Sequence, residues 1–201
     1  TPKLHAQVDS LHRLARGLCR THRVRVVREG PAPAPGSLLV ANHLSYFDPV
    51  VLLHEHPCAP IAKSEVREWP VVGPTLTRLG ILFVRRGDAH DGVRVLRAAG
   101  RALEAGVSVL VFAEGTTSMG DRVLPFFRGA MGVARRVHAP IVPVALRYDR
   151  LSPAWVGDDP FLPHYLREAS AESLHAHVHY LPALEDAAWD ADLLADAARR
   201  A

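Results

Sequence analysis

A chain of 201 residues with 48% hydrophobic content can bury one substantial core, and a single domain over 1–201 is expected. Its 24 Lys and Arg against 21 Asp and Glu give a formal charge of +3, a mild excess that suits an acidic partner surface without requiring one and does not by itself separate membrane from nucleic acid; no nucleic-acid partner is expected. No apolar run approaches the roughly 18 residues of a spanning helix, no secretory leader is visible, and the two cysteines, Cys19 and Cys58, read as free thiols of a reducing compartment rather than a disulfide framework.

Residues 3–20 predict an amphipathic helix. Leu4, Val8, Leu11, Ala15 and Leu18 recur at helical spacing, while Lys3, His12, Arg13, Arg16 and Arg20 fall largely elsewhere. Such a helix either lies on an anionic lipid surface or packs its apolar stripe on the domain, and the sequence leaves both open. A strand is expected at 22–28, followed by the breaker Pro31-Ala32-Pro33-Ala34-Pro35-Gly36. From there buried-strand patterns at 38–41, 59–62, 81–84, 107–112 and 141–146 alternate with helical stretches near 46–56, 91–104 and 128–137. This alternation predicts an α/β fold with a mixed, largely parallel sheet flanked by helices. Period-two alternation at 175–180 predicts a last strand, and an Ala- and Asp-rich helix is expected from about 186.

The strand at 38–41 delivers Asn42-His43-Leu44-Ser45-Tyr46-Phe47-Asp48-Pro49 at its carboxyl end, which is where open α/β sheets place their sites. His43 and Asp48 would lie on different faces of a continuous helix. A working pair therefore needs His43 in the turn and Asp48 in the first helical turn. The carboxylate can then hold one ring nitrogen and leave the other free to take a proton.

Asn42-His43-x4-Asp48 resembles the first sequence block of the glycerolipid acyltransferases, the family of the lysophosphatidate (1-acylglycerol-3-phosphate) acyltransferases. Three later stretches resemble the other blocks in order: Gly80 to Arg86, Phe112-Ala113-Glu114-Gly115-Thr116-Thr117-Ser118, and Ile141-Val142-Pro143-Val144. The resemblance implies His43 as general base on a lysolipid hydroxyl, with Asp48 orienting it. The hydroxyl attacks the thioester of acyl-CoA or acyl-carrier protein directly, with no metal or cofactor. It also implies substrate contacts for Asn42, Lys63, Arg86, Glu114, Gly115, Thr116 and Thr117. Gly115 would allow close backbone approach, and Glu114 would fix a hydroxyl or a neighbouring donor. Backbone N–H groups after His43 or around the third block are the expected oxyanion donors. A peripheral, monotopic position on the cytoplasmic face of a membrane is implied as well. Oligomeric state, and whether an anchor precedes Thr1, stay open.

The third block departs from the family's usual Phe-Pro-Glu-Gly-Thr-Arg. Thr117 stands where an arginine suited to phosphate is common, and Ala113 replaces the proline. The extended form through Phe126 resembles the bacterial acyltransferases of lyso-ornithine lipid, an acceptor without phosphate; Arg85, Arg86, Arg122 and Arg128 keep a phosphate acceptor open.

The stretch His54-Glu55-His56-Pro57-Cys58 and the triplet His175, His177 and His179 gather possible metal ligands without an ordinary zinc spacing, and solvated roles are expected. Serine hydrolases and P-loop or dinucleotide-binding proteins are disfavoured because neither a Gly-x-Ser-x-Gly elbow nor a glycine-rich phosphate loop is present. The competing classes are a non-catalytic membrane lipid-binding module and an acyl-thioester hydrolase.

Overall fold

A computed structural model describes residues 2–68, 72–85, 87–150, 152–157, 160–170 and 173–184. The elements run α1 (Pro2–Thr21), β1 (Val24–Glu29), β2 (Leu38–Ala41), α2 (Asp48–Glu55), β3 (Cys58–Lys63), α3 (Val72–Arg78), β4 (Leu82–Val84), α4 (Ala89–Glu104), β5 (Ser108–Phe112), α5 (Gly129–Arg136), β6 (Ile141–Tyr148), α6 (Phe161–Ser170) and β7 (Leu174–Tyr180), with a short 3-10 turn at Ser64–Glu68. The helix expected from about 186 lies outside the described residues.

The strands form one seven-stranded sheet in the order β1-β7-β6-β2-β5-β3-β4. All neighbours are parallel except β6 and β7. The expected mixed, largely parallel α/β architecture is the one observed.

The apolar run of β2 is explained by helices on both faces of the sheet. Leu39 and Ala41 join a core with Leu11, Ala15 and Cys19 of α1 and Val51 and Leu52 of α2. Leu38 and Val40 join the opposite core with Ala99 and Leu103 of α4 and Met131 and Ala134 of α5. Local signals agree with the ends of these elements. Pro49 opens α2, where a missing N–H costs nothing, and the Asp88 side chain caps α4 by accepting from the Asp91 amide.

The apolar stripe of α1 is consumed inside the domain: Val8, Leu11, Ala15 and Cys19 are buried. His12 Nδ1 meets the Leu53 carbonyl of α2 at 2.6 Å. Of the two arrangements open from sequence, α1 adopts the packed one.

Candidate active site

Parallel pairing puts the carboxyl ends of β2, β5, β3 and β4 on one edge of the sheet, and the block residues follow those ends. β2 stops at Ala41, but the chain stays attached to β6 through the Asn42 side chain. Asn42 Nδ2 donates to the Leu146 carbonyl at 2.9 Å, and the Leu146 amide donates to Asn42 Oδ1 at 2.7 Å. This pair prolongs the ladder that ends at Ala41 and Val144, so the turn leaves the sheet in a fixed direction.

His43 sits in that turn and Asp48 is the first residue of α2, as the spacing required. His43 Nδ1–H donates to Asp48 Oδ2 at 2.7 Å. The carboxylate is fully buried while a fifth of the imidazole surface is open. The same Oδ2 accepts the Leu44 and Ser45 amides at 2.6 and 2.8 Å, and Oδ1 accepts the Tyr148 hydroxyl at 2.7 Å. These donors satisfy the oxygens of a carboxylate that is closed to solvent. The imidazole stacks on Phe112, centroids 4.1 Å apart. Its Nε2 has no protein partner among the described residues, which is the condition a general base requires.

Glu114 joins the first and third blocks. Its Oε1 accepts the His43 amide at 3.1 Å and its Oε2 the Leu124 amide at 3.3 Å. Burial raises its carboxyl above the ordinary glutamate range, and the two amide donors oppose that shift. Of the two roles expected for Glu114, this geometry is that of fixing a neighbouring donor.

Gly115 has φ +69°, and an added Cβ would lie 2.5 Å from the Phe127 ring. The positive φ favours glycine there, whereas the exposed Phe127 ring could move aside. Thr116 is exposed. The Thr117 hydroxyl is turned to the Trp155 carbonyl, and the Trp155 amide donates to the Leu44 carbonyl at 2.9 Å.

Amide donors for an oxyanion are distributed unevenly. Those of His43, Leu44 and Ser45 are spent on carboxylates. Gly115 donates to Phe112 and Ser118 to His43. The Thr116 and Thr117 amides have no protein partner among the described residues.

Lys63 ends β3 on the same sheet edge, two strands from β2 and therefore about 10 Å away at ordinary strand spacing. Arg85 is exposed, and its amide donates to Asp91 at 2.6 Å. Arg86 lies outside the described residues. Cys58 is fully buried and its thiol is pushed up to about 12 by desolvation. His54 meets Glu55, His56 meets Ser108, and His175 meets Asp149. Among the described residues no three His, Cys, Asp or Glu side chains converge as metal ligands would. A cavity of about 600 Å³ opens at the opposite edge of the sheet, beside Ser37, His138 and Pro140; Ile141 and Val142 at the start of the fourth block line it, and no residue of the first or third block does.

Tyr148 was not among the residues singled out from sequence. It had a readable signal: Val142, Val144, Leu146 and Tyr148 share one face of β6, and a tyrosine ending an apolar face must find a partner for its hydroxyl.

A family description, Acyltransferase, matches residues 23–147. The chain belongs to this acyltransferase family. It is 33% identical over 189 residues to a lyso-ornithine lipid O-acyltransferase of Pseudomonas aeruginosa, covering 92% of this chain and 73% of that protein. A protein of the same description from Brucella abortus is 36% identical over 156 residues, 67% of this chain and 58% of its own length. A 1-acyl-sn-glycerol-3-phosphate acyltransferase of Neisseria gonorrhoeae is 34% identical over 125 residues, 62% of this chain and 49% of its own length. The crystal structure of the 1-acyl-sn-glycerophosphate (LPA) acyltransferase PlsC from Thermotoga maritima has the same fold, with a TM-score of 0.64 at 24% identity over 96% of this chain and 77% of that one.

Proposed function

We propose that this acyltransferase transfers a fatty acyl group from acyl-CoA or acyl-carrier protein to the hydroxyl of a lysolipid, with His43 as general base. The observation that carries the reading is the 2.7 Å His43–Asp48 pair, whose carboxylate is buried and whose second ring nitrogen is free. Nε2 takes the proton of the acceptor hydroxyl as its oxygen attacks the thioester carbonyl. The tetrahedral oxyanion collapses, the carbon–sulfur bond breaks, and the imidazolium returns the proton to the departing thiolate. The free amides of Thr116 and Thr117 are the candidate oxyanion donors. Asn42 and Glu114 hold the turn that carries His43, while Gly115, Lys63 and Arg86 are kept as candidate substrate contacts on the block resemblance.

The acceptor we favour is lyso-ornithine lipid. Thr117 offers no cation, and its hydroxyl is committed to Trp155, so the phosphate contact that an arginine could make there is missing. The matches to two lyso-ornithine lipid O-acyltransferases support the same choice.

Membrane contact is assigned to the segment after the third block rather than to α1. Met119, Val123 and Phe127 are 44, 43 and 71% exposed beside the exposed Arg122 and Arg128, a combination that suits an anionic lipid surface near the site.

The test is acyl transfer from labelled acyl-CoA and acyl-carrier protein to lyso-ornithine lipid and lysophosphatidate, by wild type and His43→Ala. His43-dependent acylation of lyso-ornithine lipid is expected. Acylation of lysophosphatidate alone overturns the acceptor choice, and donor hydrolysis without acylated lipid overturns the transferase reading in favour of a thioesterase.

A further inference from the structure

Asp48 holds its two oxygens very unequally. Oδ2 accepts three hydrogen bonds, from His43, Leu44 and Ser45, all from its own turn. Oδ1 accepts one, from Tyr148, 100 positions away in sequence. The residue is 0% exposed, so without Tyr148 that oxygen would have no donor in a site closed to water.

Tyr148 is fixed for this purpose. β6 outruns β2: their ladder ends at Val144, Asn42 clips Leu146, and two residues further, on the same face, Tyr148 reaches the carboxylate. Pairing of Tyr148 with Ala176 of β7 holds the strand end from the other side.

We propose that Tyr148 is a positioning residue of the reaction, fixing the rotation of Asp48 and drawing charge from it, and so setting the pH range over which His43 acts as base. This rests on the general-base reading above.

The titratable groups facing the pair are Glu114 from the end of β5, Tyr148 from β6, Tyr46 in the turn, and Cys19 from α1 near Tyr148. Burial and the adjacent Asp48 hold the Tyr148 phenol well above its ordinary value, so it stays a donor throughout the working range. Removing that donor returns charge to Asp48, which then binds the imidazolium more strongly.

The experiment compares wild type with Tyr148→Phe, and with 3-fluorotyrosine inserted at 148, which keeps the shape and sharpens the donor. Tyr180→Phe is the control, because it removes a buried hydroxyl that has no partner among the described residues. In Tyr148→Phe the acid limb of kcat/KM should move up by about half a pH unit, read as about a threefold loss below the limb that fades above it. KM should be unchanged, fluorotyrosine should move the limb down, and the control should not move it. A loss equal at every pH, or superposable profiles, overturns the proposal.

Peptide-resolved carbethoxylation of His43 against pH gives the same comparison without turnover. A shift there with no acyl transfer by wild type would reject the enzymatic reading while keeping the positioning role. An unshifted reactivity rejects the positioning role alone.

Discussion

Two neighbouring regions at the carboxyl edge of the sheet are built on opposite plans. In the turn 42–48 polar groups are tied inward: the Asn42 amide to Leu146, the His43, Leu44 and Ser45 amides to two buried carboxylates, and Asp48 to Tyr148. The segment 115–128 is pinned at its backbone by Ser118 to His43, Leu124 to Glu114 and Phe127 to Ala113, yet it turns Met119, Val123 and Phe127 outward. Proton transfer tolerates little displacement, so its groups need a rigid frame. A lipid surface is fluid and needs only apolar side chains on a fixed backbone.

The sharpest break of this contrast is His43→Ala. It should lower acyl transfer by about a thousandfold, the range in which general bases act, with thermal stability near wild type because the imidazole is partly exposed. Rate and thermal midpoint measured on one preparation decide it. A well-folded variant with wild-type turnover would remove the turn from the chemistry.

Glu114→Gln should come next, because this side chain hydrogen-bonds to both regions. The amide nitrogen of Gln would face either the His43 or the Leu124 N–H, placing donor against donor at a cost of about 1–3 kcal/mol, with activity falling roughly tenfold as the turn loosens. The pH sign also follows. The folded-state carboxyl is raised by burial. Above the ordinary glutamate value, then, the unfolded chain loses its proton first, and wild-type stability falls as pH rises toward the folded value. Gln does not titrate. The wild-type advantage in thermal midpoint should therefore narrow as pH rises from the ordinary glutamate value toward the raised folded-state value; a widening advantage contradicts the direction of the shift.

The legibility of the two regions in the sequence differs for the same reason. The strand at 38–41 was readable to the residue, because burial on both faces leaves an unbroken apolar run, and the His43–Asp48 pairing followed from where that strand ends. Tyr148 was not readable as a partner, since its contact spans 100 positions and depends on β6 outrunning β2. Helix α6 was missed because its pattern is inverted. It buries His164 and Glu168 at 1 and 8% exposure, while Leu162 and Leu166 stand 61 and 57% exposed. The polar pair is held by Tyr46, Arg150 and Ser152, which no periodicity reveals. Periodicity located α1 but could not say what covers its stripe; α2 does.

Thr117→Arg sharpens the comparison at the seam between the regions. It removes the hydroxyl that ties the third block to Trp155 and adds a guanidinium suited to phosphate. The ratio of kcat/KM for lysophosphatidate over lyso-ornithine lipid should rise about tenfold, one good charge-assisted contact. An unchanged ratio would place headgroup choice elsewhere.

The smallest effect belongs to the outward face. Val123 is 43% exposed, so Val123→Ser forfeits only part of the transfer energy of one aliphatic side chain, about 1 kcal/mol or a fewfold change in partition onto anionic vesicles. Turnover on short, water-soluble donor and acceptor should not change, because Val123 brings no polar side-chain group to the His43 turn. Raising salt should weaken wild type and variant equally, since the arginines remain. Equal vesicle binding by the two proteins would mean that the exposed apolar side chains of 115–128 do not enter lipid, whereas a matching loss on soluble substrates would make Val123 part of the site's frame and erase the division of labour between the two regions.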